Sequence, residues 1–138
     1  MQRTIADSGP LIALFEPADK RHGVMRAFVE AYRGVLLTTW PVLTEVGHLL
    51  GHSVERQLAF LQWVERGGVD VILPGAGAVA LIRQMSEKYR DLPMDIADGS
   101  LIVLAIESGV RDILTFDRDF DVYRFPDRSR FNNVLIST

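Results

Sequence analysis

The chain has 138 residues, 48% apolar and 24% charged, an ordinary globular composition that predicts one domain over residues 1–138. The absence of Cys excludes disulfide scaffolds, thiolate metal sites and cysteine nucleophiles, and the three histidines His22, His48 and His52 are badly spaced for zinc. A net charge of −3 gives no overall attraction to nucleic acid, and neither the run Leu101 to Ile106 nor the N-terminus resembles a membrane span or a signal peptide, so a cytoplasmic location is expected.

Arg3 to Ala6 reads as a first strand, ended by Asp7-Ser8-Gly9-Pro10. Ser8 is expected to cap the following helix, with Pro10 in the first turn, where a missing N–H costs nothing. Val24, Ala27, Phe28, Ala31 and Tyr32 recur at helical spacing before Gly34, and Val35 to Thr38 forms a second strand. Thr39-Trp40-Pro41 opens a helix with an expected buried face of Val42, Val46, Leu49 and Leu50, which Gly51 closes. Val54, Leu58 and Leu61 mark the next helix, Val69 to Leu73 a third strand, and Ala78, Ile82, Met85 and Tyr89 a helix ending near Pro93. Met94 to Ser108 fits a core helix, because Met94, Ala97, Leu101, Leu104 and Ala105 keep the helical period and no breaker precedes Gly109. Asp112 to Thr115 and Asn133 to Ser137 complete five strands. The alternation predicts an α/β fold with a parallel or mostly parallel sheet covered by helices on both faces.

In such sheets function gathers beyond the carboxyl ends of the strands, where strand order reverses. Asp7 follows the first strand directly and Asp117 the fourth by two residues, so both overhang one crevice if those strands are neighbours. Asp98 lies at the start of the core helix, and Glu45 early in the helix after the second strand, opposite Val42 and Leu49. Four converging carboxylates stay ionised together only around a cation, and oxygen ligands alone select Mg²⁺ or Mn²⁺. Such an ion suits phosphodiester hydrolysis. Each acid also has a plainer role: Asp7 as a cap, Asp98 as a complement to a helix dipole, Glu45 as a solvated helix residue. Asp95 is assigned to supporting Asp98, and Asp119 either orients a loop or joins the metal site.

The acidic stretch from Asp91 to Asp121 contains only Arg111 and Arg118 as cations and leads into Arg124, Arg128 and Arg130. That pattern suits a metal centre with cationic edges and equally an ordinary solvated surface. Gly75-Ala76-Gly77-Ala78-Val79-Ala80 matches a pyrophosphate-binding turn, although it follows the third strand rather than the first, and small residues that let a helix pack closely explain it better. A phospho-accepting receiver is excluded, since no lysine follows Lys88. Trp40 and Trp63 fall on helices, where they fill a hydrophobic layer or a dimer seam, and His48 belongs to a helix surface or the crevice rim.

The acid-bearing segments resemble those of the PIN-domain nucleases. Ile5-Ala6-Asp7-Ser8, Thr44-Glu45-Val46, Met94-Asp95-Ile96-Ala97-Asp98-Gly99-Ser100 and Leu114-Thr115-Phe116-Asp117-Arg118-Asp119-Phe120 are similar to that family's four motifs, in order and with one metal-site acid in each. The resemblance implies a three-layer α/β/α sandwich with a mostly parallel five-stranded sheet and metal-dependent endoribonuclease activity, in the manner of VapC-type toxins neutralised by a cognate antitoxin. It also implies a homodimer. By the same resemblance Asp7 and Asp98 ligate Mg²⁺ or Mn²⁺, Asp117 holds the metal or its water, and Glu45 ligates or orients through water. Ser8 and Thr115 would support them, while Arg118 and Arg124, with Arg128 and Arg130 behind them, hold RNA phosphates. Gly99 departs from the family pattern, in which Ala is more usual after the Asp. The remaining alternative is a non-catalytic module of the same fold, whose acidic crevice docks a basic segment of a partner.

Overall fold

A computed structural model describes residues 1–135. Five parallel strands, β1 (Gln2–Ala6), β2 (Gly34–Thr38), β3 (Asp70–Val71), β4 (Asp112–Leu114) and β5 (Asn132–Asn133), form one sheet in the order β3-β2-β1-β4-β5. Six helices connect them: α1 (Ser8–Phe15), α2 (His22–Ala31), α3 (Trp40–Leu50), α4 (Val54–Glu65), α5 (Ala78–Lys88) and α6 (Ile96–Ser108). From β1 the chain steps outward through β2 to β3, then crosses back past β1 to β4. Right-handed crossovers therefore place α1–α4 on one face and α5–α6 on the other, giving the expected three layers.

The strand order reverses at β1, which pairs with β2 on one side and with β4 on the other. Ile5 is in register with Ile113 and Ala6 with Leu114, and the Asp7 N–H donates to the Leu114 carbonyl at 3.0 Å. The expected neighbourhood of the first and fourth strands is thus present. Ile5, Ala6, Ile113 and Leu114 are fully buried, as a central parallel strand covered on both faces requires.

Helix α6 has no polar face to present over most of its length, and Ala97 and Gly99–Ala105 are buried all round. Gly99 has a packing reason. A Cβ there would lie 2.8 Å from Ile82 Cγ2 and 3.3 Å from Met94 Cε, so the missing methyl lets α5 approach α6.

Several expectations are corrected. On α3 the buried face is Val42, Leu43, Val46 and Leu50, and Leu49 is half exposed. Each helical residue turns about 100°, so Glu45, three positions after Val42, stands only about 60° from it instead of opposite, and it is half-buried at the edge of the stripe. On α4 the stripe Val54, Leu58 and Leu61 faces outward, while Phe60 is buried and packs edge-on to Phe15, with Trp63 beside both. On α2 the buried residue is Met25 rather than Val24 or Ala27. Trp40 fills no layer, being mostly exposed. The outer strands β3 and β5 are shorter than expected, each having a neighbour on one side only. Val134 and Leu135 already form a turn, and the rest of the expected fifth strand lies outside the described residues.

Candidate active site at the β1–β4 switch point

Asp7 occupies the first position after β1, with backbone angles still extended, and it rather than Ser8 caps α1: the Ser8 N–H donates to Asp7 Oδ1 at 2.8 Å. Its other oxygen, Oδ2, accepts a 2.7 Å hydrogen bond from the Thr115 hydroxyl at the end of β4. Thr115 Oγ1 in turn accepts from the Asp117 N–H at 2.9 Å, and Asp117 Oδ1 accepts from the Asp119 N–H at 2.9 Å, opening a short 3-10 turn over Arg118–Asp121. The freed Ser8 hydroxyl donates to Glu45 Oε1, which ties α3 to the start of α1.

Asp98 enters from the first turn of α6, whose cap is Asp95; Asp95 Oδ1 accepts the Asp98 N–H at 2.8 Å. Asp95 itself is exposed. The Tyr123 hydroxyl points at Asp98 Oδ2, 3.5 Å away. Tyr123 is buried among Tyr89 and Phe120, and Asp98 is the polar group that its hydroxyl meets there. Thr39 at the start of α3 and Ser100 on α6 meet at 2.6 Å between hydroxyls and hold these two helices together over the strand ends.

The electrostatics show which acids share a space. Burial pushes the Asp7 carboxyl up to about 6, with the charges of Asp117 and Glu45 adding to it and the hydrogen bonds from Thr115 and Ser8 opposing. Burial, then the charges of Asp95, Asp7 and Asp117, raise Asp98 to about 7. Asp119 is raised too, by burial and by Asp117, and Tyr123 is held firmly as a neutral phenol by burial and by Asp98. The ion pairs among the described residues (Arg26–Glu30, Arg83–Glu87, and Glu16 with Arg56 and His52) involve none of these acids. The crevice therefore gathers negative charge with no internal cation to balance it.

Among the described residues no three acids or histidines already close into a metal cage. The donor set nevertheless fits a small hard ion. It is all carboxylate oxygen, its two innermost members resist ionisation when no cation is near, and Mg²⁺ keeps most of its waters while needing only one or two direct carboxylates.

The sequence profile of the PIN domain matches residues 4–126. The chain belongs to the PIN domain family. Its carboxylate crevice sits at the carboxyl ends of β1 and β4. The PIN chain is 28% identical over 116 residues to Ribonuclease VapC26 of Mycobacterium tuberculosis (strain ATCC 25618 / H37Rv), covering 83% of this chain and 86% of that protein. Among solved structures it is similar to Mycobacterium tuberculosis VapC20, described as a sarcin-ricin loop cleaving toxin, with a TM-score of 0.78, 19% identity, and 88% and 94% of the two chains covered. VapBC2 from Rickettsia felis, bound to a DNA fragment from its promoter, matches with a TM-score of 0.59 and 11% identity over 88% of this chain and 92% of that one.

The expected arginines divide. Arg118 is exposed beside the crevice, whereas Arg124 Nη1 is taken by the carbonyls of Asp121, Val122 and Tyr123 at 2.6–3.0 Å, closing the 3-10 turn. Arg128 and Arg130 are exposed on the loop that follows. The Gly75–Gly77 turn holds its own anion: the Gly75 N–H donates to both carboxylate oxygens of Glu107, at 3.0 and 3.2 Å. Sequence reasoning missed Tyr123 and the Thr39–Ser100 pair, which no motif or periodicity marks.

Proposed function

We propose that this PIN domain, taken as one unit over residues 1–138, is a metal-dependent endoribonuclease that serves as the toxin of a toxin–antitoxin pair. The observation that carries this reading is the uncompensated cluster of Asp7, Glu45, Asp98 and Asp117 at the β1–β4 switch point, where burial and mutual repulsion hold Asp7 near 6 and Asp98 near 7. Similarity to a ribonuclease named VapC26 and to the RNA-cleaving toxin VapC20 supports the substrate class.

Asp7 and Asp98 would hold Mg²⁺ or Mn²⁺ directly, Asp117 the ion or its water, and Glu45 a water that it orients from α3. When bound, such an ion polarises the scissile phosphoryl oxygen and makes the attacking water more acidic. The chain's own residues do the positioning. Thr115 and the α1 amide fix both oxygens of Asp7, Ser8 fixes Glu45, and Asp95 fixes the helix turn that carries Asp98. Asp119 holds the turn on which Asp117 sits. Arg118, and Arg124 through its remaining N–H groups, would contact RNA phosphates.

The likeness to the VapBC2 complex supports an antitoxin as partner. Apolar surface that the chain leaves uncovered, on α4 (Val54, Leu58, Leu61) and around Trp40, Leu73 and Val79, supports both that contact and a homodimer. No helix among the described residues is long and apolar enough to cross a membrane. That, with an RNA substrate and no Cys, supports action in the cytoplasm.

The test is cleavage of structured and single-stranded RNA with Mg²⁺ or Mn²⁺. Asp7→Asn and Asp98→Asn should each reduce the rate by about a hundredfold or more while the fold is kept. If the unaltered protein cleaves no RNA with either metal, the crevice becomes a docking site for a basic segment and the nuclease reading fails.

A further inference from the structure

Beside the carboxylate crevice, on the β5 side, lies a groove of about 350 Å³ lined by Arg21, Val24, Thr115, Phe116, Arg118, Asn133 and Leu135. Thr115 lines it while its hydroxyl binds Asp7, so the groove adjoins the acidic centre with one residue between them. Two arginines line it and no acid does. Neither arginine belongs to an ion pair among the described residues.

The Arg21 guanidinium, contributed by the α1–α2 connection, lies over the Phe116 ring with 4.2 Å from its central carbon to the ring centroid. Phe116 is half-buried, braced by close contact with Gly9 at the start of α1. Stacking orients a planar guanidinium while leaving its N–H fork free for an anion. The Asn133 amide donates to the Thr115 carbonyl and accepts from the Leu135 N–H, which ties the groove floor to the end of β4. An exposed guanidinium over a half-buried aromatic ring, next to a second arginine that has no ion pair among the described residues, has the composition of a single-stranded nucleic-acid subsite: planar surfaces for a base and cations for the phosphates.

We propose that the Arg21–Phe116–Arg118 groove binds the nucleotide of a single-stranded RNA segment that flanks the scissile phosphate, with its base against the Arg21–Phe116 stack and its phosphate between Arg21 and Arg118. This rests on the nuclease reading and adds to it a defined second contact, which fixes the direction in which the strand leaves the carboxylates. The metal-site acids repel phosphate until a cation is bound, so the groove supplies the attraction that holds RNA independently of metal.

The experiment measures binding of a fluorescently labelled single-stranded oligoribonucleotide to Asp98→Asn protein in EDTA, as a function of salt, with Arg21→Ala, Arg21→Lys, Arg118→Ala and Phe116→Leu added singly. Arg21→Ala should weaken binding about tenfold and lower the slope of log Kd against log salt by roughly one. Arg21→Lys should restore the slope but not the full affinity, since the ammonium keeps the charge and loses the stack. Phe116→Leu, which keeps bulk against Gly9, should weaken binding severalfold without changing the slope. Unchanged affinity in Arg21→Ala and Phe116→Leu proteins with unaltered thermal melting would overturn the subsite, even if the unaltered enzyme cleaves RNA and Asp98→Asn does not. Absence of both RNA binding and cleavage would remove the nuclease reading along with it. If Phe116→Leu fails to fold, the Arg21 pair decides alone.

Discussion

Two ends of parallel strands in this molecule carry turns that look functional in the sequence, and they behave oppositely. After β1, at the centre of the sheet, Asp7 and its neighbours collect negative charge that no side-chain cation offsets. After β3, at the sheet's edge, the glycine turn Gly75–Gly77 offers a backbone N–H to an anion, and Glu107 from α6 already fills that place. One turn is electrostatically unfinished and the other is complete. The difference comes from address: β1 is where the strand order reverses and two crossovers diverge, leaving a crevice, whereas β3 has a neighbour on one side only. Local motif grammar proposes sites, and topology decides which of them stays open.

The unfinished end should reveal itself first through pH. Asp7 and Asp98 have folded-state values, about 6 and about 7, above the ordinary 3.8, so the native state binds more protons than the unfolded chain. Metal-free stability should therefore fall as pH rises from about 4 to about 7 and then level off, on the order of 3 kcal/mol from buried Asp7 alone. Thermal melts in EDTA should show this fall, and Asp7→Asn should reduce it to the part that Asp98 contributes. A flat profile in the unaltered protein would put the two ends on the same footing. Adding Mn²⁺ at pH 7 should recover the lost stability, because a cation favours the ionised carboxylates.

Next in size is the close approach that carries Asp98. Gly99→Ala would drive a methyl to 2.8 Å from Ile82 Cγ2 and should cost about 1–3 kcal/mol by denaturant unfolding. Because α6 would shift with it, cleavage should fall along with stability. Tyr123→Phe removes only the hydroxyl that faces Asp98 and leaves the aromatic packing with Tyr89 and Phe120. It should weaken Mn²⁺ binding by about tenfold in calorimetry at little cost in melting temperature. The finished end should respond least: Glu107→Gln, on an exposed side chain, should cost under about 1 kcal/mol and leave RNA cleavage unchanged. A large loss of cleavage there would reverse the contrast between the two turns.

Asp7, Asp98 and Asp117 were readable because each follows a strand or opens a helix, positions that the chain's punctuation marks plainly, whereas Glu45, in the middle of α3, has no such mark. Asp7 and Asp117 needed only the order of strands to be brought together, and the alternation of strands and helices already implied a parallel sheet. What escaped was orientation within helices. Periodicity on α4 picked Val54, Leu58 and Leu61, yet Phe60 is the residue that the core takes, since its ring fits against Phe15. An apolar stripe shows that a helix has an apolar face, but on α4 two such faces exist and only the neighbours choose between them. Tyr123 and Arg21 escaped for a related reason: each is defined by what it touches from a distant segment.

Sequence by itself determined the α/β alternation, the core helix α6 and the identity of the acids, because these follow from hydrophobic period and from residues with fixed local habits. Only tertiary structure decided that Thr115 holds the second oxygen of Asp7, that the Ser8 hydroxyl binds Glu45, and that Arg21 lies on Phe116. Those are contacts between segments distant in the chain. Their energies depend on burial and on the charges around them, and a linear pattern encodes neither until the sheet has brought β1 beside β4.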